Sequence, residues 1–372
     1  VFQPGGLYYG LNAQTKHIIL ADRKTLKCPN GIVLGTPGSG KSFFAKREMA
    51  NAFFATPDHI LILDAENEYT ALTEQLHGQT IYLAPDSQSY LNPMDLDLST
   101  DVGESPMLMQ ADFLLSQCEL MMASYGNPLM PIEKSLIDRC ISLVYRDYLK
   151  NPRPENMPIL GDLYQCLREQ HNSRADDLAT AMEIYVTGSL SYLNHRTNVD
   201  LNNRMVCYNI SKLGQGLKKL VMSNVQKHIW QRTAVNRYAG ITTRIFLDEF
   251  HLLLKEPQTA AYTAEIYKRF RKWNGIPTSL TQNVKDLLDS SEIENILENS
   301  DFVLMLNQGA SDRNILAQRL GISPQELSHV TNSSEGEGLL FFGDKIIPFE
   351  DKFPRDTQLY RVMTTKPSDL AA

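Results

Sequence analysis

The chain has 372 residues, of which 42% are hydrophobic and 21% charged, an ordinary globular composition that excludes a disordered chain or a coiled coil. Lys plus Arg number 36 against 43 Asp plus Glu, a net charge of −7, so the chain is no general electrostatic trap for nucleic acid, and any such binding needs a local basic patch. No apolar run approaches the ~18 to 20 residues that span a bilayer. The five cysteines are scattered and form no C-x-x-C pair, which excludes zinc-finger spacing and fits reduced thiols in a cytosolic compartment.

At ~150 residues per domain the length predicts two domains or one domain with an insertion. No signal peptide is present, and the start at Val1 without Met is expected of a piece of a larger protein. Short strands and turns are predicted up to residue 30, then an apolar strand Gly31 to Leu34 running into a glycine-rich loop. A helix from Ser42 to Ala55, a strand from His59 to Leu63, a helix to Leu76 and a strand from Thr80 to Leu83 follow. That alternation predicts a parallel sheet with crossover helices. The pattern changes at Asn92-Pro-Met-Asp95, and apolar residues then recur at three- and four-residue spacing, most clearly over Ile132 to Leu149.

These patterns predict an α/β fold in three parts: residues 1–94 as the first half of a P-loop domain, 95–200 as an inserted all-helical subdomain, and 201–372 as the second half. In the second half, strands are expected at Met205 to Ile210, Thr243 to Leu247, Ile276 to Leu280 and Phe302 to Leu306, with helices at about Gly216 to Tyr238 and Tyr262 to Trp273. Leu339 to Phe342 and Ile346 to Phe349 are expected to close the domain as a hairpin.

The chemistry begins with Gly35-Thr36-Pro37-Gly38-Ser39-Gly40-Lys41-Ser42, a full match to G-x-x-x-x-G-K-[ST] followed by Phe43 at the head of a helix. Glycines let backbone N–H groups wrap a phosphate chain, and the helix start adds its partial positive charge. Residues 35–43 are therefore assigned to nucleotide binding, with Lys41 on the β- and γ-phosphates and Ser42 on Mg²⁺.

The strand Arg244-Ile-Phe-Leu247 delivers Asp248 and Glu249. Asp248 is expected to hold Mg²⁺ through a water, and Glu249 to polarise the attacking water; such a pair could otherwise be a surface turn or helix cap. The adjacent acid favours the RecA-like ATPases over the GTPase switch class. Gln282, at the end of the next strand, could sense the γ-phosphate or simply satisfy turn backbone. Arg271, with Arg269 as second choice, could act as an arginine finger on a neighbouring subunit's nucleotide or lie on a solvated helix face. In Asp64-Ala-Glu66-Asn-Glu68-Tyr69, Glu66 could face the nucleotide, transmit its state or cap the next helix, whereas for Glu68 capping is the favoured reading. No His pair has zinc-hydrolase spacing, and no G-x-S-x-G is present.

The runs Gly6-Leu-Tyr-Tyr-Gly-Leu-Asn12, Pro29 to Ser42, Asp64 to Tyr69, Leu91-Asn-Pro-Met-Asp95, Phe246-Leu-Asp-Glu-Phe250, Phe270-Arg-Lys-Trp-Asn-Gly275 and Thr281-Gln-Asn283 together resemble the VirB-four family, the TraC/TrbE-type ATPases of conjugation and type IV secretion. The resemblance covers nearly the whole chain. It implies a C-terminal RecA-like motor with a helical insertion, lacking the family's N-terminal domain and similar to FtsK- and HerA-type pumps and conjugative coupling proteins. It implies ATP and Mg²⁺ as ligands, hexameric assembly at the cytoplasmic face of a secretion channel, and channel components as partners; a monomer is the alternative for this piece alone. It places Lys41, Ser42, Asp248, Glu249, Gln282 and Arg271 at functional positions. Pilus assembly and transfer of DNA or protein substrates is the leading reading. A DNA-translocating coupling protein or pump and a slow nucleotide-gated scaffold are the rivals.

Overall fold

The computed structural model describes residues 1–98, 105–123, 129–282, 284, 292–331, 333–366 and 369. Asn283, the last residue of the Thr-Gln-Asn run, lies outside them. The chain divides into two compact units: Val1–Thr80 with Asn202–Asn209 and Asn236–Ala372, and Ile81–Leu201 with Ile210–Val235.

Eleven strands form one sheet in the order β2-β1-β11-β10-β9-β3-β8-β7-β4-β6-β5. They are β1 Leu7–Asn12, β2 Ile18–Ala21, β3 Gly31–Leu34, β4 His59–Asp64, β5 Gln79–Tyr82, β6 Met205–Asn209, β7 Thr243–Leu247, β8 Gly275–Thr281, β9 Phe302–Met305, β10 Glu337–Phe342 and β11 Lys345–Glu350. From β9 through β3, β8, β7 and β4 to β6 the strands pair in parallel. β10 and β11 close it as the expected antiparallel hairpin, and β1 and β2 continue the antiparallel side. β3 and β9 read as unbroken apolar runs, as strands covered on both faces do; β3, β7 and β8 are buried along their whole length, with Arg244 and Thr278 as polar members that find partners there.

β3 ends in the phosphate loop and β7 ends in the acidic pair, and β8 lies between them in the sheet. All three run parallel, so their carboxyl ends open on the same edge, where ligands of open α/β sheets bind.

Helix α1, Lys41–Ala55, packs against β1 and β4. A buried ionic network ties it to the sheet. Arg23 Nη1 donates to Glu48 Oε1 at 2.9 Å and to Thr278 Oγ1 at 2.8 Å. Arg244 donates to Glu48 Oε1 at 3.1 Å and to Asp58 Oδ2 at 2.9 Å. The Tyr9 hydroxyl donates to Glu48 Oε1 at 3.0 Å. Every charge here has an opposite partner, the condition under which ions are tolerated in a core.

In the second unit, helices Pro131–Val144, Leu160–Arg168 and Ser173–Val186 pack on one another. Their common anchor is the Asn-Pro-Met-Asp segment. Asn92 Nδ2 donates to Pro158 O at 2.8 Å, the Asn92 amide donates to Thr197 Oγ1 at 2.8 Å, and Gln110 Nε2 donates to Pro93 O at 2.9 Å. The Tyr145 hydroxyl donates to Met94 O at 2.5 Å, and Lys227 Nζ donates to the carbonyls of Pro93 and Asp95 at 2.9 and 2.6 Å. The segment therefore gathers helices separated by more than a hundred positions in sequence.

Candidate nucleotide-binding site

The loop after β3 has the backbone its glycines were expected to supply. Gly38 and Gly40 have φ of 75° and 100°, left-handed values that disfavour a side chain. A Cβ at Gly35 would collide with the Ser39 hydroxyl and meet Leu306 Cβ at 3.0 Å. Gly40 is the N-cap of α1, so the free N–H groups of the helix start face the loop. Ser39 Oγ donates to Thr36 O at 2.7 Å, and Lys41 Nζ rests on the same carbonyl at 3.2 Å. Burial lowers the Lys41 pKa, against the raising charges of Glu249, Asp248 and Glu68.

A polar cleft of about 350 Å³ opens beside the loop, lined by Lys41, Ser42, Glu66, Glu68, Asp248, Glu249 and Gln282 among others. Glu249 is held with φ 45° and ψ 47°, a left-handed conformation costing a non-glycine residue on the order of 1 kcal/mol or more. The carboxylate is fixed from β8, because Gln282 Nε2 donates to Glu249 Oε1 at 2.7 Å. On its other oxygen, His251 Nδ1 lies 3.1 Å from Oε2. Asp248 is buried, and its pKa is pushed well up by desolvation and by the charges of Glu68, Glu249 and Asp64.

An excess of carboxylates around a buried acid suits a cation. The fully buried Tyr69 hydroxyl lies against Ser42 and feels the charges of Asp248, Glu68 and Asp64. Among the described residues no group of three or more His, Cys, Asp or Glu forms a metal cage. Mg²⁺ needs none, since it takes one or two protein oxygens and completes its shell with substrate phosphates and water. Ser42 and Asp248 fit that role.

The acidic segment after β4 corrects one expectation. Glu68 does not cap the following helix α2, Thr70–Gln75, which has no side-chain cap bond. Asp64 organises the segment instead. Its Oδ1 accepts from the amides of Glu66 and Glu68 at 3.3 and 3.0 Å, and its Oδ2 from that of Tyr69 at 3.0 Å. With its backbone pinned in this way, the segment turns Glu66 and Glu68 toward the cleft.

Arg271 and Arg269 are not brought to this cleft. Arg271 is exposed just before β8, and its Nη1 donates to Cys28 Sγ at 3.5 Å. Gln282 follows the other end of the same seven-residue strand, roughly 20 Å away at ~3.3 Å per residue. Arg269 pairs with Glu265 at 3.0 Å one turn back. Residues not anticipated from sequence also line the cleft: Glu335, Thr364, Thr365 and Lys366, with Lys366 ion-paired to Glu335. The Gly336 amide donates to Ser39 O at 3.4 Å. Neither segment carries a motif that points to the phosphate loop.

A glycine-wrapped helix start, a half-buried Lys, and an Asp–Glu pair braced from an intervening strand define a RecA-like P-loop ATPase. Residues 18–335 match the TraG P-loop domain family, and the chain belongs to that family. The fold is similar to VirB4 of Thermoanaerobacter pseudethanolicus, with TM-score 0.84 and 22% identity over 97% of this chain and 100% of that one. It is also similar to the plasmid coupling protein TrwB in complex with ADP and Mg²⁺, with TM-score 0.59 and 13% identity over 94% of this chain and 92% of that one. The TrwB complex with an ATP analogue aligns with TM-score 0.57 and 12% identity over 89% and 87% of the two chains. No curated protein sequence matches significantly.

Proposed function

We propose that this chain is the ATP-hydrolysing motor of a conjugation or type IV secretion machine and that its turnover drives pilus assembly and substrate transfer. The observation that carries the catalytic part is the Gln282–Glu249 hydrogen bond of 2.7 Å beside the phosphate loop. It makes one strand end answer to the group that would activate water. Lys41 and the loop amides hold the phosphates, and Ser42 and Asp248 hold Mg²⁺, which when bound neutralises phosphate charge. Glu249 orients the attacking water and takes its proton, while Gln282 and the strained backbone keep the carboxylate in place. Catalysis here rests on positioning and charge stabilisation, with no covalent intermediate on the protein.

Arg271 belongs to this reading only as a residue acting on a neighbouring subunit, since it lies at the far end of β8 from the chain's own cleft. That requires a ring, and we take it as a homohexamer docked on channel components at the cytoplasmic membrane face. Residues 95–200 are its inserted helical subdomain. Lys41→Ala is expected to abolish ATP turnover and Glu249→Gln to retain bound ATP without hydrolysis; normal phosphate release by either variant would sink the assignment. The likeness to TrwB, a coupling protein, favours one second reading, a DNA translocase. DNA-stimulated hydrolysis with steep salt dependence would select it.

A further inference from the structure

One oxygen of the Glu249 carboxylate is held and the other is not. Oε1 accepts from Gln282 Nε2 at 2.7 Å. Oε2 lies 3.1 Å from His251 Nδ1, and the two side chains are only 11% and 14% exposed. Both atoms are buried, and no other group hydrogen-bonds to either. Buried polar atoms without partners cost free energy, so these two have only each other to satisfy. A bare ring nitrogen facing a carboxylate would set lone pair against lone pair. The proton of the neutral imidazole therefore belongs on Nδ1, where it can be donated. The two groups are within reach but not aligned for a full hydrogen bond, an alignment that catalytic groups complete once substrate is bound.

The fold fixes the ring at this spot. Residues two apart do not face each other on a helix; here the left-handed backbone of Glu249 folds the chain, and its carboxylate meets the ring two positions on. His251 sits in the short 3₁₀ turn Phe250–Leu254, where Phe250 and Leu253 are fully buried. The Phe250 ring lies 6.2 Å from that of Tyr267. The Tyr267 hydroxyl donates to Gly31 O on β3 at 3.1 Å and lies 2.5 Å from Ser279 Oγ on β8. Thr259 Oγ1 secures the end of the turn by donating to Leu253 O at 2.7 Å. The imidazole is thus anchored to the two strands that carry the phosphate loop and Gln282. It does not line the cleft, so it acts through the carboxylate and not on the nucleotide. We infer that His251 is a positioning residue for the water-activating group: Nδ1–H donates to Glu249 Oε2 while Gln282 holds Oε1. A carboxylate clamped at both oxygens cannot rotate, and its remaining lone pairs stay aimed at the attacking water. The inference deepens the ATPase reading and rests on it.

The test measures steady-state ATP hydrolysis by the full chain and, separately, calorimetric ATP affinity with Mg²⁺. Two polar variants of His251 separate position from packing. His251→Asn places an amide N–H where Nδ1 stands, whereas His251→Gln places it where Nε2 stands, on the far side of the ring. His251→Gln should lower kcat about 10- to 100-fold with ATP affinity held within about 2-fold. His251→Asn should keep kcat within about 3-fold of the native chain. Equal kcat in the two variants would overturn the role of His251, and so would a loss of turnover matched by an equal loss of ATP affinity; either leaves the ATPase reading standing if Glu249→Gln still stops hydrolysis. No turnover by the native chain, or normal turnover in Glu249→Gln, would overturn the ATPase reading and the role of His251 with it.

Discussion

Glu48 sits two turns into the helix that begins at the phosphate loop, and its carboxylate faces two guanidinium groups. Arg23, Arg244 and Glu48 side chains are at most 2% exposed. Glu48→Gln keeps the shape and one acceptor oxygen but removes the charge. Arg244 retains Asp58 at 2.9 Å, whereas the remaining acceptors of Arg23 are neutral: Thr278 Oγ1 and the Pro29 and Pro277 carbonyls. Removing one partner of a buried pair costs ~3–5 kcal/mol because a charge is left uncompensated. At a urea slope of about 3 kcal/mol per molar, the unfolding midpoint falls by roughly 1 to 1.7 M. Urea unfolding followed by tryptophan fluorescence reads this directly, since Trp273 precedes β8 in the same unit. The double variant Glu48→Gln, Arg23→Met should recover part of the loss by removing the stranded cation. A midpoint shift below about 0.3 M, or a double variant less stable than the single one, would refute the reasoning.

Three other outcomes follow from the same geometry. Asp248→Asn should bind ATP without Mg²⁺ as before while requiring far more Mg²⁺ for turnover, measured by titrating the metal at fixed nucleotide; unchanged metal dependence would remove Asp248 from the ion. Arg271→Ala should leave ATP affinity untouched and lower turnover only under conditions where the chain assembles, seen by pairing phosphate release with light scattering; equal loss in monomers would end the reading of action between subunits. Burial lowers the Lys227 pKa to about 7. The unfolded chain therefore holds more protons above that pH, and this lysine's contribution makes stability rise with pH from about 7 toward its ordinary value near 10.5. Denaturation profiles should show that rise in the native chain and lose it in Lys227→Met.

Sequence carried the parts of the site that are local. The loop at residues 35–42 announces itself because its glycines are needed for backbone reasons, and the strand ends at Asp248 and Gln282 follow from apolar runs stopping at polar residues. What it could not carry is the pairing of those ends. That β8 lies between β3 and β7, and so sets Gln282 against Glu249, is a property of strand order. The division of labour in Asp64 to Tyr69 was equally hidden, since three acids within five positions look alike until backbone amides choose one of them. Glu335 and Lys366 arrive from the segments on either side of the closing hairpin, without a motif of their own. The Arg23, Glu48 and Arg244 network was invisible for the same reason, and its members read individually as ordinary charged residues.

β8 has a mechanical meaning beyond its place in the sheet. It is buried along all seven residues and bonded on both sides, so it has little freedom to bend. Gln282 stands at one end and Arg271 just beyond the other. If Arg271 completes a neighbour's site as proposed, the strand is a push-rod joining two catalytic centres. Loss of the γ-phosphate felt at one end would shift the arginine offered at the other, and firing order around the ring would be carried by a single rigid strand per subunit.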